Sequence, residues 1–186
     1  AWTIASVALN NCLGKTDADP ESMQKAEQEI DTLQSNIRDY LVAISQRKLT
    51  DRQAHMIPEL IHCANDAERI SDLALRIYRK TTRIRRGGLP PDALEGITSL
   101  INSVRILARD TVISVRDEKP RAELLAKKEA AIHAEAKQLS KDFSQHLGGA
   151  DEQNAVGEIA FLSVLSGLRD IARHLGNIAV RVSAFV

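Results

Sequence analysis

Aromatic residues make up only 3% of this 186-residue chain, and glycine and proline number nine and five. Sheet proteins lean on aromatic and β-branched side chains joined by frequent tight turns, so these shortages favour helices. Cysteine is equally scarce. Cys12 and Cys63 lie far apart with no CxxC spacing, which excludes a disulfide framework, argues against a thiolate zinc site and suits a reducing compartment. Charge of one sign is not in excess: Lys plus Arg and Asp plus Glu are both 25, giving no overall field to gather nucleic acid. No run approaches the roughly 18–20 apolar residues that a membrane span needs, and no signal peptide is visible. Phosphate-binding, Walker, GxSxG and HExxH motifs are absent; Gly87-Gly88 runs into Leu89-Pro90-Pro91, which stops a helix and does not cradle phosphate. The serines have no His and Asp arrangement that spacing supports. These absences argue against an enzyme.

What remains is a globular composition, 44% hydrophobic and 27% charged. Starting at Ala1 and ending on the apolar run 180–186, the sequence reads as a piece of something longer. Breakers divide it into six helical segments. A short first one carries Ile4, Val7, Ala8 and Leu13 and ends before the GKTDADP stretch. A second runs from about Glu21 to Leu49 with Ile30, Leu33, Ile37, Tyr40, Leu41 and Ile44 on one stripe. Thr50 caps a third, from about Asp51 to Arg86, which either kinks at Pro58 or begins near it. A fourth spans about Asp92 to Asp117, with Leu94, Ile97, Leu100, Ile101, Val104, Leu107, Ala108 and Val112 as its stripe. A fifth starts at Pro120 and ends at Gly148-Gly149, and a sixth follows from Asp151. Short-long-long, then medium-long-long, predicts an all-α fold of two pseudo-repeated antiparallel three-helix bundles, residues 1–88 and 89–186.

The most informative feature is acid where apolar residues belong. Glu68 and Asp72 are four apart, so they share a helix direction, and that direction falls among Ile57, Ile61, Ala64 and Leu75. Glu27 and Asp31 repeat the spacing at the border of the second segment's stripe. Antiparallel packing could bring all four together, where they would repel unless a divalent or trivalent cation met them; oxygen ligands suit iron, manganese, magnesium or calcium. The plainer reading is a solvated face paired with Lys25 or Arg69, since ExxxD is common on helices.

The stretch Ala67-Glu68-Arg69-Ile70-Ser71-Asp72-Leu73-Ala74 resembles the E-R-I-G-D-x-A signature of PhoU-like proteins. The run Ile30-Asp31-Thr32-Leu33 followed by Ile37-Arg38-Asp39-Tyr40-Leu41 resembles the helix that precedes it. From Asp31 to Glu68 the wording is similar to the C-terminal cytoplasmic PhoU-like domain of bacterial sodium/phosphate cotransporters. The likeness is specific over about 27–75 and looser after Gly87. It implies two three-helix bundles and a non-enzymatic regulatory role in phosphate transport or homeostasis. It also implies metal held by Glu27, Asp31, Glu68 and Asp72, with iron the family's usual ion. The implied partner is a phosphate transporter's membrane domain or a phosphate-signalling protein, at the inner face of the cell membrane. A homodimer is an arrangement the sequence allows.

The second half departs from that pattern. Asn177-Ile178-Ala179 matches the close of the family's second signature, and counting back puts Arg169 and Arg173 at the acidic positions, 101 residues after Glu68 and Asp72. Glu27 and Asp31 correspond to Glu129 and His133 at an offset of 102. Guanidinium has no lone pair to give a cation, so this second site reads as degraded, with built-in positive charge opposite Glu129. Slipping the register by one would offer Asp170 and His174, on a face near Ser163, Ser166 and Asn177 that reads as wet.

Other features have plainer accounts. His55 and His62 lie seven apart and read as packing or surface residues, and Cys63 as a small apolar one. Arg76, Arg79, Lys80, Arg83, Arg85 and Arg86 gather at a helix C-terminus, where the macrodipole favours cations; the alternative is a docking patch for an acidic partner or phospholipid heads. Two rival functions stand beside the regulatory one. One is a metal-free helical scaffold or oligomerisation module. The other is a carboxylate-bundle hydrolase, which Arg169 and Arg173 argue against.

Overall fold

The computed structural model describes the backbone of residues 1–87, 90–116, 121–145 and 152–183, and side chains for all of these except 82, 83, 85–87 and 152–155. The described residues form six helices: α1 (Trp2–Cys12), α2 (Pro20–Ser45), α3 (Asp51–Gly87), α4 (Pro91–Arg116), α5 (Ala122–Gln145) and α6 (Glu152–Ser183). No strand occurs among them. The fold is the all-α helical bundle that the breakers and periodicities predict. None of the described helices is long and apolar enough to cross a membrane.

Local chemistry sets the starts. Asp19 caps α2, its carboxylate accepting from the Ser22 N–H at 2.8 Å, and Pro20 takes the first helical position. Proline is suited to that place, its missing N–H being one the helix cannot satisfy anyway; the helix therefore begins at the residue that the sequence marks as a breaker. At α3, Thr50 and Gln53 form a capping box, the Gln53 N–H donating to Thr50 Oγ1 at 3.3 Å and the Thr50 N–H to Gln53 Oε1 at 3.0 Å. With that cap in place α3 runs unbroken through Pro58 to Gly87.

Packing divides the helices into α1, α2 and α3 on one side and α4, α5 and α6 on the other, and the most extensive interface in the molecule is the seam of α3 on α6. One apolar cluster runs from Ile4 and Leu9 through Ile77, Leu107 and Leu125 to Phe161, Leu168 and Ile171. Polar ties fix the periphery: Tyr78 Oη donates to the Ala18 carbonyl at 2.6 Å, and Arg105 donates to Asn10 Oδ1 at 2.6 Å, joining α4 to α1. Asp110 on α4 pairs with Lys128 on α5.

Two expected core stripes are only half buried. On α2, Met23 and Leu41 are buried, but Leu33 is 58% and Tyr40 67% exposed, with Ile37 and Val42 exposed beside them. The reason is length. α1 has 11 residues, packs chiefly on α3 and, among the described residues, leaves the far part of α2 with no second helix against it. On α4, Ile97, Leu100, Ile101, Val104, Leu107 and Ala108 are buried, whereas Leu94 and Val112, at the two ends of the stripe, are exposed.

Replacing Leu107, which is fully buried, by Ala should cost about 2–5 kcal/mol through lost transfer energy and the cavity left behind. Leu33→Ser, at an exposed position, should change stability by less than about 0.5 kcal/mol. Urea denaturation of both variants checks the contrast, and comparable losses would mean that α2 is buried where the structure leaves it open.

Candidate metal centre

The seam between α2 and α3 brings the four predicted acids to one place. Glu27, Asp31 and Asp72 each offer a carboxylate oxygen, and these atoms all lie within 4.8 Å of one another. Glu68 stands at the edge of the group, close enough to Asp31 and Asp72 to feel both charges. One turn further along, Gln34 donates to Asn65 Oδ1 at 2.6 Å and clamps the two helices together. Beside the acids opens a cleft of about 620 Å³ that Asp31, Glu68, Arg69, Asn65 and His174 help to line.

The electrostatics are those of crowded like charges. Burial raises the Glu27 carboxyl above its ordinary value, and a hydrogen bond with Asp72 and repulsion from Asp31 and Asp72 raise it further, against the pull of Arg79. Glu68 is raised by burial and by the charge of Asp72, with Arg69 opposing. Arg69 lies 3.5 Å from Glu68 and 3.3 Å from Asp72. The plainer reading is therefore partly true: Arg69 does pair with two of the acids. It is itself 61% exposed, however, and two cations oppose four carboxylates. Asp31 Oδ1 is buried with no hydrogen-bond partner among the described residues. A buried, unpaired carboxylate oxygen is costly, and a cation is the partner that would relieve it. Oxygens within 4.8 Å of one another can share an ion at the roughly 2.0–2.6 Å that hard cations prefer, so the residues present fit such a group.

The corresponding place in the second half is built differently. The Glu129 carboxylate lies on Gly176, where a Cβ would come within 1.9 Å of its Oε2, so a side chain there would displace the carboxylate from its present position. Burial raises the Glu129 carboxyl, while His133 and Arg173 pull it back. His133 Nε2 lies 3.2 Å from the Arg169 carbonyl, an acceptor, so that nitrogen carries the proton. Arg173 also pairs with Asp170 at 3.2 Å. Among the described residues no group of three possible ligands forms here.

Asp170 and His174 do not come together as a ligand pair. Asp170 serves Arg173, and His174 turns to α3, its Nδ1 2.7 Å from Asp66 Oδ1. The face expected to be wet is instead part of the α3–α6 seam, with the His174 side chain only 16% exposed. Asp66, 8% exposed, also accepts from Asn177, and Arg181 bridges Asp66 and Glu59. Burial alone would raise the Asp66 carboxyl; hydrogen bonds from His174 and Asn177 and the charge of Arg181 turn the net shift downward. Sequence reasoning missed this network. Its signal was there: Glu59 and Asp66 seven apart on one helix, and His174, Asn177 and Arg181 at helical spacing on another, two polar stripes of matching character.

Of the expected docking patch, Arg76 and Lys80 line a cleft against α6 with Asp170, while Arg79 acts on Glu27 on the other side of α3. The side chains of Arg83, Arg85 and Arg86 lie outside the described residues. His55 and His62 are exposed, the former with Nδ1 2.9 Å from the Asp51 carbonyl. Burial pushes the Cys63 thiol up to about 11, with Arg181 opposing and Asp66 and Glu59 assisting, so it is a poor nucleophile.

Fold and cluster together define an all-helical bundle protein with an acid-lined seam between two of its helices. Residues 13–81, from the end of α1 to near the end of α3, match the PhoU domain. That stretch holds all four acids of the seam. No curated protein matches the chain.

Raised carboxyls make a testable prediction for protein freed of metal. A group whose folded pKa is raised contributes stability that is present below the unfolded value and lost as pH rises through the folded one. Glu27→Gln and Glu68→Gln should therefore each raise Tm in EDTA at about pH 7.5 and lose that advantage near pH 4. Comparing variant with parent cancels the opposite contributions of Asp66 and Asp110, whose carboxyls are lowered. Variants that melt below the parent at high pH would show that these acids are stabilising as charged groups.

Proposed function

We infer that this chain is a PhoU-like regulatory domain of phosphate homeostasis, non-enzymatic, whose first three helices hold a divalent or trivalent cation between α2 and α3. The observation that carries the metal reading is the buried, unpartnered Asp31 Oδ1 among carboxylates crowded enough to raise Glu27 and Glu68. The match of residues 13–81 to the PhoU domain carries the phosphate reading. Glu27, Asp31 and Asp72 would hold the ion, with Glu68 at its border. Iron is the ion the family resemblance implies, and it would supply charge neutralisation rather than chemistry on a substrate.

The mechanism lies in how α2 is held. Of its neighbours only α3 makes an extensive interface with it, so the seam occupied by the four acids governs its position. Anything bound only by the folded arrangement stabilises that arrangement. A cation would tie α2 to α3 and fix the exposed flank of Leu33, Ile37 and Tyr40, the surface offered to a partner. The partner is a phosphate transporter's membrane domain, a sodium/phosphate symporter in the finer reading, which places the chain at the cytoplasmic face of the membrane. The same exposed flank favours a second reading, a metal-free scaffold that associates through α2, a homodimer included.

Metal analysis of purified protein separates them. Glu68→Ala with Asp72→Ala should remove bound metal and abolish the fall in Tm that EDTA causes in the parent, whereas Arg169→Ala should leave both intact. Parent protein that carries no metal after iron or manganese loading, and melts identically with and without EDTA, would leave the scaffold reading standing.

A further inference from the structure

The two halves of the molecule open clefts at partly corresponding places, and the two clefts differ in charge. Between α2 and α3 the cleft described above includes Gln34, Ser35, Asn65 and Glu68 in its lining. Adding the internal offsets, 102 on the shorter helix and 101 on the longer, gives Ala136, Lys137, Ser166 and Arg169. All four line one cleft of about 710 Å³ between α5 and α6. The first groove has Asp31, Asp66 and Glu68 beside Arg69 and His174; the second has Lys137, Lys141 and Arg169, and among the described residues no Asp or Glu lines it.

We propose that the α5–α6 groove binds a soluble oxyanion carrying two or more linked phosphoryl groups. Lys137 and Lys141 stand one turn apart on α5, about 6 Å along the axis, and Arg169 faces them from α6. Three cations with no acid among them repel one another, and an anion reaching all three relieves that repulsion. Guanidinium gives a planar pair of N–H donors and ammonium a compact charge, the two ways proteins hold phosphoryl oxygens. Ser140 and Ser166 add hydroxyls at the rim, and buried Leu165 adds an apolar wall. Arg169 is exposed, and Arg173 is the arginine that acts on Glu129. Charges one helical turn apart on α5, with a third across the groove on α6, suit linked phosphoryl groups. The site stands apart from the acidic seam and does not depend on metal there.

Isothermal titration of the chain with pyrophosphate, in EDTA and low salt, tests this. Pyrophosphate should bind, and Lys137→Gln with Arg169→Gln should weaken it about tenfold or more. Lys137→Gln with Lys141→Gln, confined to the exposed face of α5, serves as the second variant should the first fold poorly. Lys127→Gln, an exposed lysine paired with Glu123 outside the groove, should leave affinity unchanged. Orthophosphate should bind more weakly. No binding of pyrophosphate, an equal loss in Lys127→Gln, or equal affinity for orthophosphate would each overturn the proposal. So would sedimentation of the chain with phosphatidylglycerol vesicles that pyrophosphate fails to compete away, since the groove's ligand would then be a lipid surface.

Discussion

The packing of α3 along α6 is the constraint on which the rest of the structure depends. Each of these helices carries one half of the molecule: α1 and α2 rest on α3, and α4 and α5 rest on α6. Buried Ile70, Leu73, Ala74 and Ile77 on α3 and Leu168, Ile171, Ala172 and Leu175 on α6 belong to the one apolar cluster that runs through both halves. At one part of this seam Asp66 is buried, and it is tolerable there only because His174, Asn177 and Arg181 all reach it from α6. Such a network contributes little to stability when complete, yet removing one member leaves a buried charge uncompensated. It ties α3 to α6 at one place along their apolar seam.

How much of this the sequence discloses depends on the kind of interaction. Helices announced themselves through breakers and caps: the GKTDADP stretch, Thr50 before Asp51, the Gly-Gly-Leu-Pro-Pro stop. Those are local effects, and neighbours in the chain determine them. The convergence of Glu27, Asp31 and Asp72 was legible for the same reason, since four-residue spacing on each of two adjacent antiparallel helices needs no knowledge of anything further away. The exposure of Leu33 and Tyr40 was not legible. A hydrophobic stripe says which way a helix would face a neighbour, and only the length of α1 decides whether a neighbour is there. His174 failed for the complementary reason. Its flanking Ser163, Ser166 and Asn177 look hydrophilic along α6, but Asp66, the partner that dries that face, lies 108 residues away.

Charge reversal between the two grooves has a consequence for how the halves relate. Internal repetition usually preserves what a site binds, because the backbone that frames it is preserved. Here part of the frame is kept, since four lining positions of the first cleft recur in the second, while the side chain changes sign from Glu68 to Arg169. Neutralising the first acids with Gln would have been enough to abolish a cation site. Arginine and lysine do more, since each guanidinium or ammonium placed at a groove without acids must either be solvated or find an anion. In a chain whose formal charges balance at 25 and 25, three cations in one cleft with no acid among its described lining residues are a local departure from the whole. The net neutrality that argues against a nucleic-acid partner thus describes the chain as a whole and hides a local difference in charge between its two clefts.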